Sequence, residues 1–168
     1  MPKQISIYNE RLPIIARRWP VAAGAVGTIQ PGTPVKIAGT RGTSGVAAPM
    51  VTTDGTTSQC FLGIAKSVST DTAAASGEVY VYDPLPGVIY AAQPSTTTAA
   101  NTAAKLDAFM GARLNFTLTG TIGTSTGQWT INTASGDGAT NCAIVVGGEY
   151  QTNTIHFVYK VTGTVYGI

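Results

Sequence analysis

An all-β fold, a small barrel or sandwich with at most one short helix, is predicted by three features of this sequence. Short runs rich in valine, isoleucine, threonine and tyrosine recur along it. Gly, Pro, Asn and Asp interrupt those runs at short intervals, and helical periodicity is nearly absent. The 168 residues suit one domain, or two small lobes sharing a core.

The elements follow in order. Gln4 to Tyr8 reads as a short strand. Gln30-Pro31-Gly32-Thr33 is a turn with proline and glycine at their favoured central positions, and Pro34 to Ala38 leaves it as a strand. Val46 to Val51 and Phe61 to Ala65 are further strands, the second an apolar run fit for a core. Glu78 to Tyr82 has one valine face and one tyrosine face. With Asp83-Pro84-Leu85-Pro86-Gly87 as the turn and Val88 to Ala92 as the return, it is the best hairpin candidate. Thr102 to Met110 is the one segment that reads as a helix. Arg113 to Thr119 alternates strictly, with Leu114, Phe116 and Leu118 facing inward, and Gln128 to Asn132, Thr140 to Val146 and Thr154 to Val161 complete the strands. The expected organisation is an extended N-terminal arm over 1–20 and one β domain over 21–168. Within that domain, lobes at 21–92 and 108–168 joined by a polar linker at 93–107 are the alternative. No fixed repeat period is visible, which argues against a solenoid or propeller.

Charge is the outlier in composition. Asp, Glu, Lys and Arg make up 11 % of residues, against about 25 % in a typical soluble domain. Hydrophobic content, 43 %, is ordinary, so the chain does not fit the disordered class. Thr, Ser, Gly and Ala replace the charges, a composition suited to surfaces that meet other proteins, where each buried charge is costly. Net charge is +2, too small to argue for nucleic acid. No run approaches the roughly 20 apolar residues that span a bilayer, so no membrane partner is expected. Met1-Pro2-Lys3-Gln4-Ile5-Ser6 lacks the apolar run of a signal peptide, and export is not expected. Cys60 and Cys142 lie in apolar runs and are expected as buried free thiols rather than a disulfide.

Catalytic motifs fare poorly. Gly123-Thr124-Ser125-Thr126-Gly127 matches the G-x-S-x-G nucleophile elbow, with Asp137 or Glu149 and then His156 in hydrolase order. That elbow needs a strand before it, a helix after it and a parallel α/β sheet beneath. Here strand-like segments flank it on both sides, which reads as a hairpin loop. His156 is out of phase with Ile155 and Phe157 and is expected to face solvent or a neighbouring subunit. The acids are scattered singly among turns, and two cysteines and one histidine without metal-ligand spacing make no zinc site. A non-enzyme with no cofactor and no metal is the expectation.

The first twenty residues differ from the rest. Six of the cations precede residue 42, where Glu10 is the lone acid. Pro2, Pro13 and Pro20 discourage a helix, Arg17-Arg18 is a cationic pair, and Tyr8, Ile14, Ile15 and Trp19 are isolated anchors. Arginine and aromatic anchors on extended backbone are the composition of an interface. Tyr8, Arg11, Ile14, Ile15, Arg17, Arg18 and Trp19 are therefore the expected partner-binding residues. The competing reading is an edge strand packed on the chain's own core.

Gln30-Pro31-Gly32-Thr33-Pro34-Val35-Lys36-Ile37, Phe61-Leu62-Gly63-Ile64-Ala65 and Gly77-Glu78-Val79-Tyr80-Val81-Tyr82 together give a likeness. The span from Val21 to Ala92 resembles the small head-decoration, or capsid cement, proteins of tailed bacteriophages. The resemblance covers under half of the chain. It implies a virion protein, assembled in the host cytoplasm, that binds the major capsid protein on the outside of the shell and locks capsomers together. It implies a homo-oligomer, commonly a trimer. Two alternatives stand beside it. One is a carbohydrate- or receptor-binding β-sandwich module of a tail fibre or cell-surface protein, using Trp129, Tyr80, Tyr82 or Tyr90 as aromatic platforms. The other is another virion subunit, such as a tail-tube or head–tail connector protein.

Overall fold

The computed structural model describes residues 5–8, 14–23, 29–38, 46–49, 61–83, 85, 87–119, 128–134 and 143–159. In chain order the strands are β1 (Ser6–Ile7), β2 (Ala16–Val21), β3 (Pro34–Ala38), β4 (Val46–Pro49), β5 (Phe61–Ala65) and β6 (Gly77–Tyr82). After these come β7 (Tyr90–Ala92), helix α1 (Ala103–Asp107), β8 (Arg113–Thr119), β9 (Gln128–Asn132), β10 (Ala143–Glu149) and β11 (Thr154–Tyr159). The all-β class with one short helix holds.

Two units of sheet share the chain. Strands β2-β4-β3-β5-β6 close into a five-stranded barrel, antiparallel except where β2 meets β4. The other six form one sheet in the order β1-β7-β11-β10-β8-β9. The chain thus begins in the sheet, builds the barrel, and returns to the sheet. The expected boundary at residue 92 is corrected, because β7 belongs with β8 to β11 and not with the barrel strands before it.

The hairpin expected between Glu78–Tyr82 and Val88–Ala92 does not form. β6 pairs with β2 and β5, while β7 pairs with β1 and β11. The Asp83 N–H donates to the Ile15 carbonyl, and its carboxylate accepts from Arg17, so the connection is tied to β2's side of the barrel. The segment at 93–107 is also not a free linker. Ile131 N–H donates to the Gln93 carbonyl, and Ser95 N–H donates to the Ile131 carbonyl, so Gln93 to Ser95 lies along β9. Asn153, at φ 49°, accepts from Ala100 N–H through its side-chain oxygen and donates its amide to the Thr97 carbonyl. Thr102 caps α1 by accepting from Lys105 N–H, and the helix buries Leu106.

Each unit has its own core. Val21, Val35, Leu62, Val79 and Val81 fill the barrel. Tyr90, Phe116, Phe157 and Tyr159 pack in the sheet's core with ring centroids 4.8–5.9 Å apart, mostly edge-on or tilted, and Leu114 and Trp129 are buried beside them. A bulge joins the two. Opposite Val35 and Lys36, β5 carries an extra residue, so its alternation breaks at Gly63. Leu62 and Ala65 stay in the barrel core, while Ile64 turns out into the core of the sheet.

Gly63 sits at φ +145°, and a Cβ there would land on the Tyr82 carbonyl oxygen of β6. Gly63→Ala is expected to lower stability by about 3 kcal/mol or more, since backbone must separate from backbone. Gly111, at φ +77° with open space around it, is the control: Gly111→Ala should cost only about 1–2 kcal/mol. Urea denaturation of both variants measures the difference, and equal losses would contradict the bulge account.

Candidate functional site

The expected arm straddles both units. β1 pairs with β7 in the sheet, and all six residues of β2 pair with β6 in the barrel. The competing reading, a strand packed on the chain's own core, therefore describes residues 16–20, and among the described residues 5–8 and 16–20 the separation of an arm from the domain is corrected. The physical reason is burial: Trp19 packs on the barrel core and Val21 is fully buried, against the valine face of β6.

The pairing sorts the expected site residues. Trp19 and Val21 face inward, while Arg18 pairs across from Tyr80, and Pro20 from Glu78, on the outer face. Trp19 is thus a core residue rather than a pocket anchor, with its indole N–H buried and unbonded. Both arginines meet the chain's own acids. Arg17 Nε donates to Asp83 at 2.7 Å, with the Asp83 side chain buried, and Arg18 lies 3.1 Å from Glu78 with both exposed. The exposed pair is worth little, about 0–1 kcal/mol. The Arg17 pair matters more, because it keeps a buried carboxylate compensated where the barrel passes into the sheet. Tyr90 bonds the same connection by donating its hydroxyl to the Asp83 carbonyl; burial, then the nearby carboxylate, push its ionisation well above the ordinary tyrosine range. Ile15 stands about half exposed. Arg11 lies outside the described residues, as do Cys60, Cys142 and the whole of Gly123 to Gly127 with Ser125.

Ile14 contributes to a different feature. A half-open cleft of about 750 Å³ runs where barrel and sheet meet. Ile5, Ser6 and Ile7 supply its sheet side, and Pro31, Ile64, Lys66 and Tyr82 much of its barrel side. Its lining is aliphatic apart from Ser6, the Tyr82 phenol and one cation, Lys66, whose ammonium stands 5.8 Å from the Tyr82 ring centre. Sequence reasoning missed Ile64 and Lys66. The signal available was the glycine inside Phe61 to Ala65, which marks a bulge in an otherwise regular strand.

Tyr8 takes a third position. Its ring lies 3.7 Å from that of His156, tilted by 33°, on the side of the sheet opposite Ile155 and Phe157. His156 is out of phase as expected, but Tyr8 helps cover it and it is buried, with Nε2 unbonded. The expectation that it faces solvent is corrected. Of the proposed aromatic platforms, Trp129 and Tyr90 are core residues, whereas Tyr80 is well exposed on the barrel's outer face. Among the described residues no three His, Cys, Asp or Glu side chains converge as a metal site would require.

Comparison with known proteins gives no match, whether to a family model, a curated sequence or a solved structure. Two surface features stand out among the described residues: a barrel face where exposed Tyr80 lies beside the Arg18–Glu78 pair, and a cleft beside β1 lined by aliphatic side chains with Ser6, Lys66 and Tyr82.

Two predictions follow from these contacts. Arg17→Ala leaves the Asp83 carboxylate without its guanidinium and should cost about 1.5–3 kcal/mol, read as a lowered denaturation midpoint; an unchanged midpoint would show that the pair contributes nothing. His156 is held below its ordinary value of about 6.5 by desolvation, which outweighs the opposing pull of Glu149. The neutral form is favoured in the folded protein, so stability is full above about pH 6.5 and declines as pH falls from there through the lowered folded value. His156→Gln should flatten that decline between pH 7 and 5, and parallel slopes in both proteins would assign it to other groups.

Proposed function

We propose that this chain is a structural virion protein. In this reading it binds the outer surface of a tailed-phage capsid, contacts the major capsid protein, and ties neighbouring capsomers together as a homo-oligomer, most simply a trimer. Catalysis has no part in it. The observation that carries the reading is the juxtaposition of the three segments behind the resemblance. Gln30 to Ile37, Phe61 to Ala65 and Gly77 to Tyr82 supply β3, β5 and β6, which are consecutive neighbours in the closed barrel. The likeness thus rests on one contiguous surface rather than on scattered fragments.

The outer face of that barrel supports the same reading. Tyr80 stands exposed, and Arg18 and Glu78 neutralise one another beside it. Such a face can be covered at modest desolvation cost, and an exposed tyrosine at its centre is the anchor type that interfaces favour. A second reading has one observation behind it. Tyr80 and the half-buried Tyr82, two residues apart on β6, could serve as a platform for a sugar ring.

Sedimentation with purified shells of the major capsid protein tests the first reading. The protein should co-sediment and give added density on the outer surface in electron micrographs. Tyr80→Ala combined with Arg18→Glu should weaken that binding at least tenfold with little change in melting temperature. Failure to bind any such shell, together with specific retention on a glycan array lost in Tyr80→Ala, would replace it with the second.

A further inference from the structure

We propose that the cleft between barrel and sheet captures an extended segment of a partner protein, which adds to the sheet as a strand beside β1. The segment it fits is apolar on alternate residues and carries one carboxylate. The inference does not depend on the partner being a capsid.

Backbone geometry carries the first step. Ser6 pairs with Ala91 and Ile7 with Tyr90, and the Tyr8 N–H donates to the Ile89 carbonyl. In an antiparallel ladder successive residues alternate between bonding the neighbour and facing away from it. Ser6 and Tyr8 face β7, so the N–H and C=O of Ile7 point away from the sheet. No described residue bonds them. Ile7 is half-buried and lines the cleft, so this unused backbone pair lies at the cleft wall. An incoming strand can bond it at the spacing of a sheet, about 4.8 Å from β1.

The opposite edge gives the contrast. There Gln93 to Ser95 already lies along β9 and bonds both backbone groups of Ile131. Among the described strands at the two edges of this sheet, the chain covers one and leaves the other to a cleft.

The lining selects the occupant. Ile7, Ile14, Ile64 and Pro31 offer apolar surface, which alternate side chains of an added strand would cover. Volume alone, within the roughly 300–1,000 Å³ common for ligand sites, would also admit a small molecule. The open backbone pair of Ile7 on the same wall favours a strand, and among the described lining residues the one charged group is the Lys66 ammonium. The Lys66 ammonium complements a single carboxylate on a chain whose alternate residues are apolar.

The probe is a set of short synthetic peptides of alternating valine and threonine, each with one threonine replaced by glutamate at a different position. They are titrated into the intact protein and followed by amide NMR. At least one register should bind, shift the Ile7 and Lys66 amide signals, and slow exchange of the Ile7 amide. N-methylation of that peptide on the residues facing β1 should weaken binding more than tenfold, which simple apolar docking would not show. Lys66→Glu, at an exposed position, should keep the spectrum of a folded protein. It should lose about tenfold toward the glutamate peptide and gain toward the matching lysine peptide. No shift of Ile7 with any member at millimolar concentration overturns the proposal. So does binding that is indifferent to N-methylation, or to exchanging the charges.

Discussion

At Gly63 the backbone of β5 lies so close to the Tyr82 carbonyl of β6 that no side chain fits between them. Most of what links the two halves of this protein follows from that approach. The bulge it permits changes which way β5 faces, leaving Leu62 and Ala65 inside the barrel and sending Ile64 into the other core. A regular strand would keep Ile64 on Leu62's side, and the sheet would lose its apolar contact from the barrel wall. The cleft arises at the same place, since Ile64 and Ala65 form part of its barrel side.

Polar contacts secure the junction that the bulge creates. Asp83 is held through its N–H by Ile15, through its carboxylate by Arg17, and through its carbonyl by the Tyr90 hydroxyl. One residue between β6 and β7 therefore touches the β2 side of the barrel and the core of the sheet. Two arginines that looked free to meet a partner's acids have instead found acids of their own chain. Arg17 thereby compensates a buried acid, whereas the Arg18–Glu78 pair remains on the surface.

Local elements were legible because their causes are local. Strict alternation placed Leu114 and Phe116 inside, as found, and the one segment that reads as helical, Thr102 to Met110, contains the shorter α1 at Ala103–Asp107. Pairing was not legible. Asp83 to Gly87 has the residues of a hairpin turn, but β6 pairs with β2 and β5 and β7 with β1 and β11, partners that no short window contains. The same holds for residues 16–21, whose two arginines and Pro20 resemble an arm until their six pairings with β6 are known. Of the expected binding residues, Ile14 does reach the cleft, while Trp19 belongs to the core and Tyr8 lies on His156. Phe61 to Ala65 reads as a regular core strand; its glycine is the local sign of a bulge, but which side chain turns outward depends on the register with β3.

The strap along β9 has a consequence for growth. A sheet whose two edges are both open can be extended from either side, and repeated addition of like chains then yields a fibre. Here one flank is stoppered by the chain's own Gln93 to Ser95. The proposed addition at β1 would occupy the other flank, and any further growth would depend on the outer edge of the added strand. Growth through the described edges of this sheet is thus confined to the β1 side.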